Sequence, residues 1–189
     1  MELTGAILPA GVLNIVTSFG AEAGQALATS KRIAKLSFTD STKTGRKVYH
    51  NAAENIIPAT MELGGKSPNI FFPSVAAQDD KFFSKPLEGA LMFTLNQGKI
   101  CTTPSRILVH KDIADLSIER MQERLKLIKK VNPLNAETMI GSQVSKAQFE
   151  KIVHYINIGK EEGTMVLAGG AAGNYKGDLA GGYYVQQWY

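Results

Sequence analysis

An α/β fold built on parallel strands is the expectation from this sequence of 189 residues, and three features carry it. Short apolar runs alternate with stretches of helical length. Turn and capping residues mark the changes from one to the other. Strand, turn and helix also recur in that order, the connection that parallel pairing requires. A chain that is 44% hydrophobic and 20% charged is an ordinary soluble composition. Folded as one unit, it would bury roughly 70% of its unfolded surface.

Leu13-Asn14-Ile15-Val16 reads as a buried strand, followed by the turn Ser18-Phe19-Gly20 and a short helix over 21–29. A second strand over 35–39 meets Asp40-Ser41-Thr42, good N-cap chemistry for a helix running toward Asn55. Pro58 ends that segment, and Thr60-Met61-Glu62-Leu63 is a third strand. Beyond Gly64-Gly65 come a strand over 69–72, a polar connector over 75–81, and a helix leading to the turn Asn96-Gln97-Gly98. Residues 106–110 form a further strand, and Asp112 caps a long helix whose apolar positions Ala114, Ile118, Met121, Leu125 and Ile128 step by four and three. That stripe is core. Ser145 and Gln148 make a capping-box pattern, Gly163 stops the helix they open, and 165–167 is a last strand before a glycine-rich stretch. The domain boundary falls near Gly64, dividing 1–63 from 64–189.

Composition excludes several function classes. No apolar run approaches the ~18 residues of a membrane span. Met1-Glu2-Leu3-Thr4-Gly5 lacks the basic start of a secretory signal, so a cytoplasmic protein is expected. One cysteine, Cys101, rules out an internal disulfide framework or a multi-cysteine zinc site. The net charge of +4 is spread among acids, and the densest basic cluster, over 120–130, reads as the solvated face of a helix. No nucleic-acid partner is expected.

Parallel strands place ligands beyond their C-terminal ends. Two loops there could hold an anion on free backbone N–H groups: Gly20-Ala21-Glu22-Ala23-Gly24 and Asp40-Ser41-Thr42-Lys43-Thr44-Gly45. A tight turn explains each glycine equally well. Glu62 stands at a strand end and is either a general base, given partial burial, or a surface glutamate. Cys101, after a polar glycine turn, is either an exposed thiolate nucleophile or a small buried residue. His50, His110 and His154 show no metal spacing and read as structural.

Taken together, Phe38-Thr39-Asp40-Ser41-Thr42-Lys43-Thr44-Gly45, Met61-Glu62-Leu63-Gly64-Gly65-Lys66-Ser67-Pro68 and Asn96-Gln97-Gly98-Lys99-Ile100-Cys101 resemble, in order, three signatures of the NAD(P)-dependent aldehyde dehydrogenase superfamily. The flanks Gly11-Val12-Leu13-Asn14, Asn132-Pro133-Leu134, Ile140-Gly141 and Gly181-Gly182-Tyr183-Tyr184 resemble it too, and the interval from Glu62 to Cys101 is most similar to bacterial enzymes for short aliphatic aldehydes such as acetaldehyde. The resemblance implies that 1–63 is the C-terminal part of a Rossmann-like cofactor domain and 64–189 the first part of an α/β catalytic domain. It implies Cys101 as nucleophile and Glu62 as activator of water. Ser41, Thr42, Gly45, Gly20, Gly24, Leu63 and Gly64 are the implied contacts to NAD or NADP. A small aldehyde is the implied substrate, with a homo-oligomer or association with other subunits as the assembly.

Family subunits are more than twice as long, so the resemblance also implies a truncated chain that departs from the pattern at Gln187-Trp188-Tyr189. Two readings follow: an aldehyde-oxidising enzyme, or a catalytically silent remnant that survives as a folded fragment or as an assembly partner of full-length subunits. Internal departures bear on the choice. Asp40 and Ser18 replace glycines of the family pattern, and Asp40 would cap its own helix while opposing a bound anion. Lys99 adds a cation near Cys101, which favours the thiolate. Pro86 breaks the helix before Cys101 if it lies inside it, and is harmless if the helix starts at Lys85 or Pro86.

Overall fold

The computed structural model describes residues 5, 7–78, 81–91, 96–129 and 132–186. They divide into two compact units that part between Gly64 and Gly65. Among the described residues, no helix is long and apolar enough to cross a membrane.

The first unit is a single strand–helix–strand module. β1 (Leu36–Asp40) and β2 (Ala59–Leu63) pair in parallel, from Leu36 beside Ala59 to Asp40 beside Leu63. A π-turn over Gly20–Gly24 leads into the short α1 (Gln25–Thr29), which packs on α2 (Thr42–Glu54), the connection between the strands. α2 starts where Ser41 turns its hydroxyl back to accept from the Thr44 N–H at 3.4 Å. Gly45, one turn in, is buried: a Cβ there would lie 2.6 Å from Leu63 Cδ2, so a larger residue would require the Leu63 side chain to move.

In the second unit, β3 (Pro68–Phe71) and β4 (Arg106–Val109) are again parallel, Pro68 beside Arg106 and Phe71 beside Val109. α3 (Lys81–Leu91) lies in the connection between them, and α4 (Ala114–Lys126) and α5 (Lys146–Glu161) follow. Phe71, Phe83, Leu87, Ala90, Leu91, Ile113 and Met121 form the core, with Ile107, Val109 and Leu125 packed against it. Alternation along the strands leaves the opposite face bare, with Ile70, Phe72 and Leu108 all more than half exposed. The glycine-rich C-terminal stretch wraps the buried Tyr184. Ala172 bridges Val185, and the Gly173 N–H donates to the Tyr184 carbonyl at 2.8 Å.

Several expectations hold and several fail. Ser145 caps α5 by accepting from the Gln148 N–H at 3.2 Å, and Gly163, at φ +88°, follows the helix end. Met121 and Leu125 of the predicted stripe face the core, joined by Ile113 and Leu116. Residues 13–16 form no strand: they are exposed, and the two strands of this unit pair with each other. Residues 165–167 form none either; the Leu167 carbonyl accepts from Gln122 Nε2 at 3.2 Å, a side-chain bond in place of a ladder. Asp112 does not cap the long helix. It sits in a 3-10 turn (Lys111–Ile113) whose own cap is His110, and α4 begins after Ile113 without a side-chain cap. Part of the expected polar connector is a 3-10 turn (Pro73–Ala76). Pro86 lies inside α3, five residues beyond Lys81. Residues 1–4, the run 92–95 after α3, Lys130 of the basic cluster and the departing tail 187–189 lie outside the described residues.

Candidate active site

The C-terminal edge of the β1–β2 pair gathers most of the predicted site residues. Because the strands are parallel, Ser41, just past β1, and Glu62, Leu63 and Gly64, at the end of β2, come to the same edge. At the start of α2, Ser41 Oγ takes the Thr44 N–H and the Ser41 carbonyl takes the Gly45 N–H at 2.9 Å. Among the described residues this leaves the Thr42 and Lys43 amides open at the positive end of a 13-residue helix. The N-cap is Ser41 and not Asp40. Asp40 ends β1, and its carboxylate accepts the Ser41 N–H. The backbone already ends in Ser41 geometry at this turn, so the aspartate is free to bond the adjacent amide.

The two open amides on a helix terminus suit a phosphate group, while the Ser41 hydroxyl donates to Thr44 Oγ1 at 3.1 Å. One feature opposes it. A carboxylate already holds the neighbouring amide and sets a like charge beside the place an anion would take.

The other predicted positions separate into groups. Gly45 packs against Leu63, which gives it a structural role at the helix–strand contact. Gly20 and Gly24 flank the π-turn ahead of α1, and a Cβ at either would meet open space. Ser18 donates to Glu22 at 2.7 Å across that turn. Glu62 is exposed. His50 pairs with Glu54 at 3.2 Å on α2, and His154 stacks edge-on to Tyr155.

Cys101 belongs to the second unit. It is exposed and free. Two turns frame it. Before it, Asn96, Gln97 and Gly98 all have positive φ, at +49°, +54° and +73°. After it, the Thr103 N–H closes on the Ile100 carbonyl at 3.2 Å. Gly65, three residues beyond Glu62 in the chain, runs beside the Cys101 loop: a Cβ there would lie 3.6 Å from the Cys101 carbonyl oxygen. Arg106 Nε donates to the Lys66 carbonyl at 2.8 Å and fixes that approach. A depression of about 510 Å³ elsewhere in this unit, lined by Gln122, Lys126, Leu167, Tyr175 and Gln186 among others, holds no predicted site residue.

Sequence reasoning missed Gly65, Thr103 and Gln143. Thr103 and Gln143 are buried, and Thr103 Oγ1 and Gln143 Oε1 have no partner among the described residues. No local pattern marks them, because their burial comes from segments distant in sequence.

The arrangement has counterparts. The sequence profile of the aldehyde dehydrogenase family matches residues 2–187. The chain belongs to the aldehyde dehydrogenase family. It is 56% identical over 185 residues to an aldehyde dehydrogenase of Rhodospirillum rubrum, covering 98% of this chain and 37% of that protein. Acetaldehyde dehydrogenase 2 of Cupriavidus necator is 53% identical over 186 residues, with the same coverage of 98% and 37%. Among solved structures, PnpE from Pseudomonas sp. WBC-3, crystallised in complex with nicotinamide adenine dinucleotide, superposes with a TM-score of 0.87 at 38% identity, covering 98% of this chain and 37% of that one. The chain thus spans about 37% of the length of these aldehyde dehydrogenases, and its mixed α/β units are part of the aldehyde dehydrogenase fold.

Proposed function

We propose that this chain carries the reacting groups of an aldehyde dehydrogenase, which oxidises a small aldehyde to its carboxylic acid with NAD or NADP. The observation that supports it most is the exposed Cys101 on a framed loop, with Gly65 of the glutamate signature beside its carbonyl. On this reading, residues up to Gly64 are part of a cofactor-binding domain and the rest part of a catalytic domain.

The chemistry is carried by two side chains. The Cys101 thiolate attacks the aldehyde carbon and its C–S bond gives a thiohemiacetal. The Cys101 backbone N–H can donate to the developing oxyanion. Nicotinamide, when bound, would supply the hydride acceptor that this oxidation requires, and Cys101 would be left holding the acyl group as a thioester. Glu62 takes a proton from water, which attacks the thioester carbonyl; the acid leaves and the Cys101 sulfur is freed. Ser41 and the Thr42 and Lys43 amides would hold the cofactor pyrophosphate, with Leu63 and Gly64 near the nicotinamide and Gly20, Gly24 and Gly45 shaping the surrounding loops. The relative named for acetaldehyde supports a short aliphatic substrate.

Separating the two half-reactions tests this reading. Glu62→Gln should leave acylation intact and slow hydrolysis, so intact-mass analysis after acetaldehyde and NAD+ should find one acetyl group on Cys101. An unmodified Cys101 in that variant, with NADH formed, would overturn the assignment. Asp40→Gly removes the opposing carboxylate and should tighten NAD+ binding several-fold to about tenfold, measured by titration. No tightening would mean that the pyrophosphate does not lie at the start of α2.

A second reading draws on the bare outer face of β3–β4. Parallel sheets are normally covered on both faces, and Ile70, Phe72 and Leu108 are not. A catalytically silent assembly partner, bound to copies of itself or to other subunits, would cover them.

A further inference from the structure

We infer that Gln143 is a positioning residue for the Cys101 loop: it pins the left-handed turn that leads into the cysteine. Its meaning for catalysis rests on Cys101 being the nucleophile, but the pinning itself does not.

The turn needs an external hold. Left-handed backbone is ordinary for glycine and tolerated by asparagine, but a glutamine there crowds its Cβ against the backbone. Gln97 nevertheless stands at φ +54° between Asn96 at +49° and Gly98 at +73°. Among the described residues, one local bond closes the turn, from the Lys99 N–H to the Asn96 carbonyl at 3.1 Å.

One hydrogen bond reaches Gln97 from a segment more than forty residues away, and the Gln97 side chain lies beside Gly141 of that segment. Gln143 Nε2 donates to the Gln97 carbonyl at 3.4 Å. Gly141 leaves room for the Gln97 side chain: a Cβ there would come within 3.3 Å of Gln97 Nε2. The anchor is itself held. Gln143 is only 7% exposed, and its backbone N–H donates to the Tyr183 carbonyl at 2.7 Å. The Tyr183 ring in turn lies 6.1 Å from that of Phe149 on α5.

The Gln143 amide uses its donor and leaves its acceptor without a partner among the described residues. A methionine of similar shape would fill the same space without an unpaired acceptor. If Gln143 served packing alone, that exchange would be harmless. If it pins the turn, the exchange leaves the core intact and frees Gln97 to return to negative φ, four residues before the thiol.

The test uses the full chain and hydrogen exchange. In Gln143→Met the Lys99 amide should exchange about tenfold faster, with the Met121 and Ile156 amides unchanged. Iodoacetamide should then alkylate Cys101 about threefold faster, because an unpinned loop offers the thiol in more orientations. Gln97→Gly keeps the carbonyl but adopts positive φ unaided, so in that background Gln143→Met should change Lys99 exchange and Cys101 alkylation by less than about twofold. Unchanged Lys99 exchange in Gln143→Met, or equal effects in both backgrounds, overturns the inference. Should Gln143→Met fail to fold, Gln97→Gly alone decides: Lys99 exchange slower than in the parent supports the pinned turn, and equal or faster exchange refutes it. A pinned loop in a chain that forms no Cys101 adduct with aldehyde would contradict the enzymatic reading and leave the pinning standing.

Discussion

Pro86→Ala should stabilise the second unit by about 2 kcal/mol. A proline in a helix interior is roughly 3 kcal/mol less favourable than alanine, since it lacks the N–H and its ring meets the carbonyl four residues back. Pro86 is in that position, five residues beyond Lys81 and between the buried Phe83 and Leu87. The unfolded chain gains freedom when the ring is removed, which returns about 0.4–1 kcal/mol of the benefit. The difference corresponds to a rise in Tm of about 4–8 °C for a chain of this size. Thermal melts of the two proteins decide it. An unchanged or lower Tm would mean that α3 bends around Pro86 without strain.

The opposite change is expected from Phe83→Ala. Phe83 is fully buried at the centre of the core, where it joins α3 to Phe71 of β3 and Met121 of α4. Truncating such a ring removes its burial and leaves a cavity, for a loss of about 3–5 kcal/mol. Against a typical total of about 5–15 kcal/mol, that is enough to unfold the second unit under mild denaturant. Phe72→Ala, on the exposed outer face of the same sheet, should stay within about 0.5 kcal/mol of the parent. Urea titrations of both variants separate the two faces, and similar midpoints would contradict the placement of the core.

What the sequence revealed and what it hid follow from the range of the interactions. Ser145 with Gln148, Gly163 after α5, and the start of α2 are local, and each is visible as a short pattern. Leu13-Asn14-Ile15-Val16 has the composition of a strand, but a strand needs a neighbour to pair with, and no pattern of four residues can supply one. The same limit applies to 165–167, where the Gln122 side chain replaces a ladder.

At the candidate site, motif order identified the family, because three blocks in sequence are far more specific than any one of them. The burial of individual residues was not legible. Whether Cys101 is exposed, whether Asp40 or Ser41 caps α2, and whether Gly45 faces a ligand or Leu63 all depend on how one element lies on another. Gln143 carried no signal at all: its partners, Gln97 and Tyr183, are forty or more residues away on either side.

A single-turnover reaction of the folded chain with NAD+ and acetaldehyde, followed by NADH absorbance with Cys101→Ala alongside, tests Cys101 most directly. The parent chain should form NADH in amounts matching the chain, and the variant none. A folded chain that forms no NADH, or an alanine variant that forms as much as its parent, would contradict Cys101 as the nucleophile of an aldehyde oxidation.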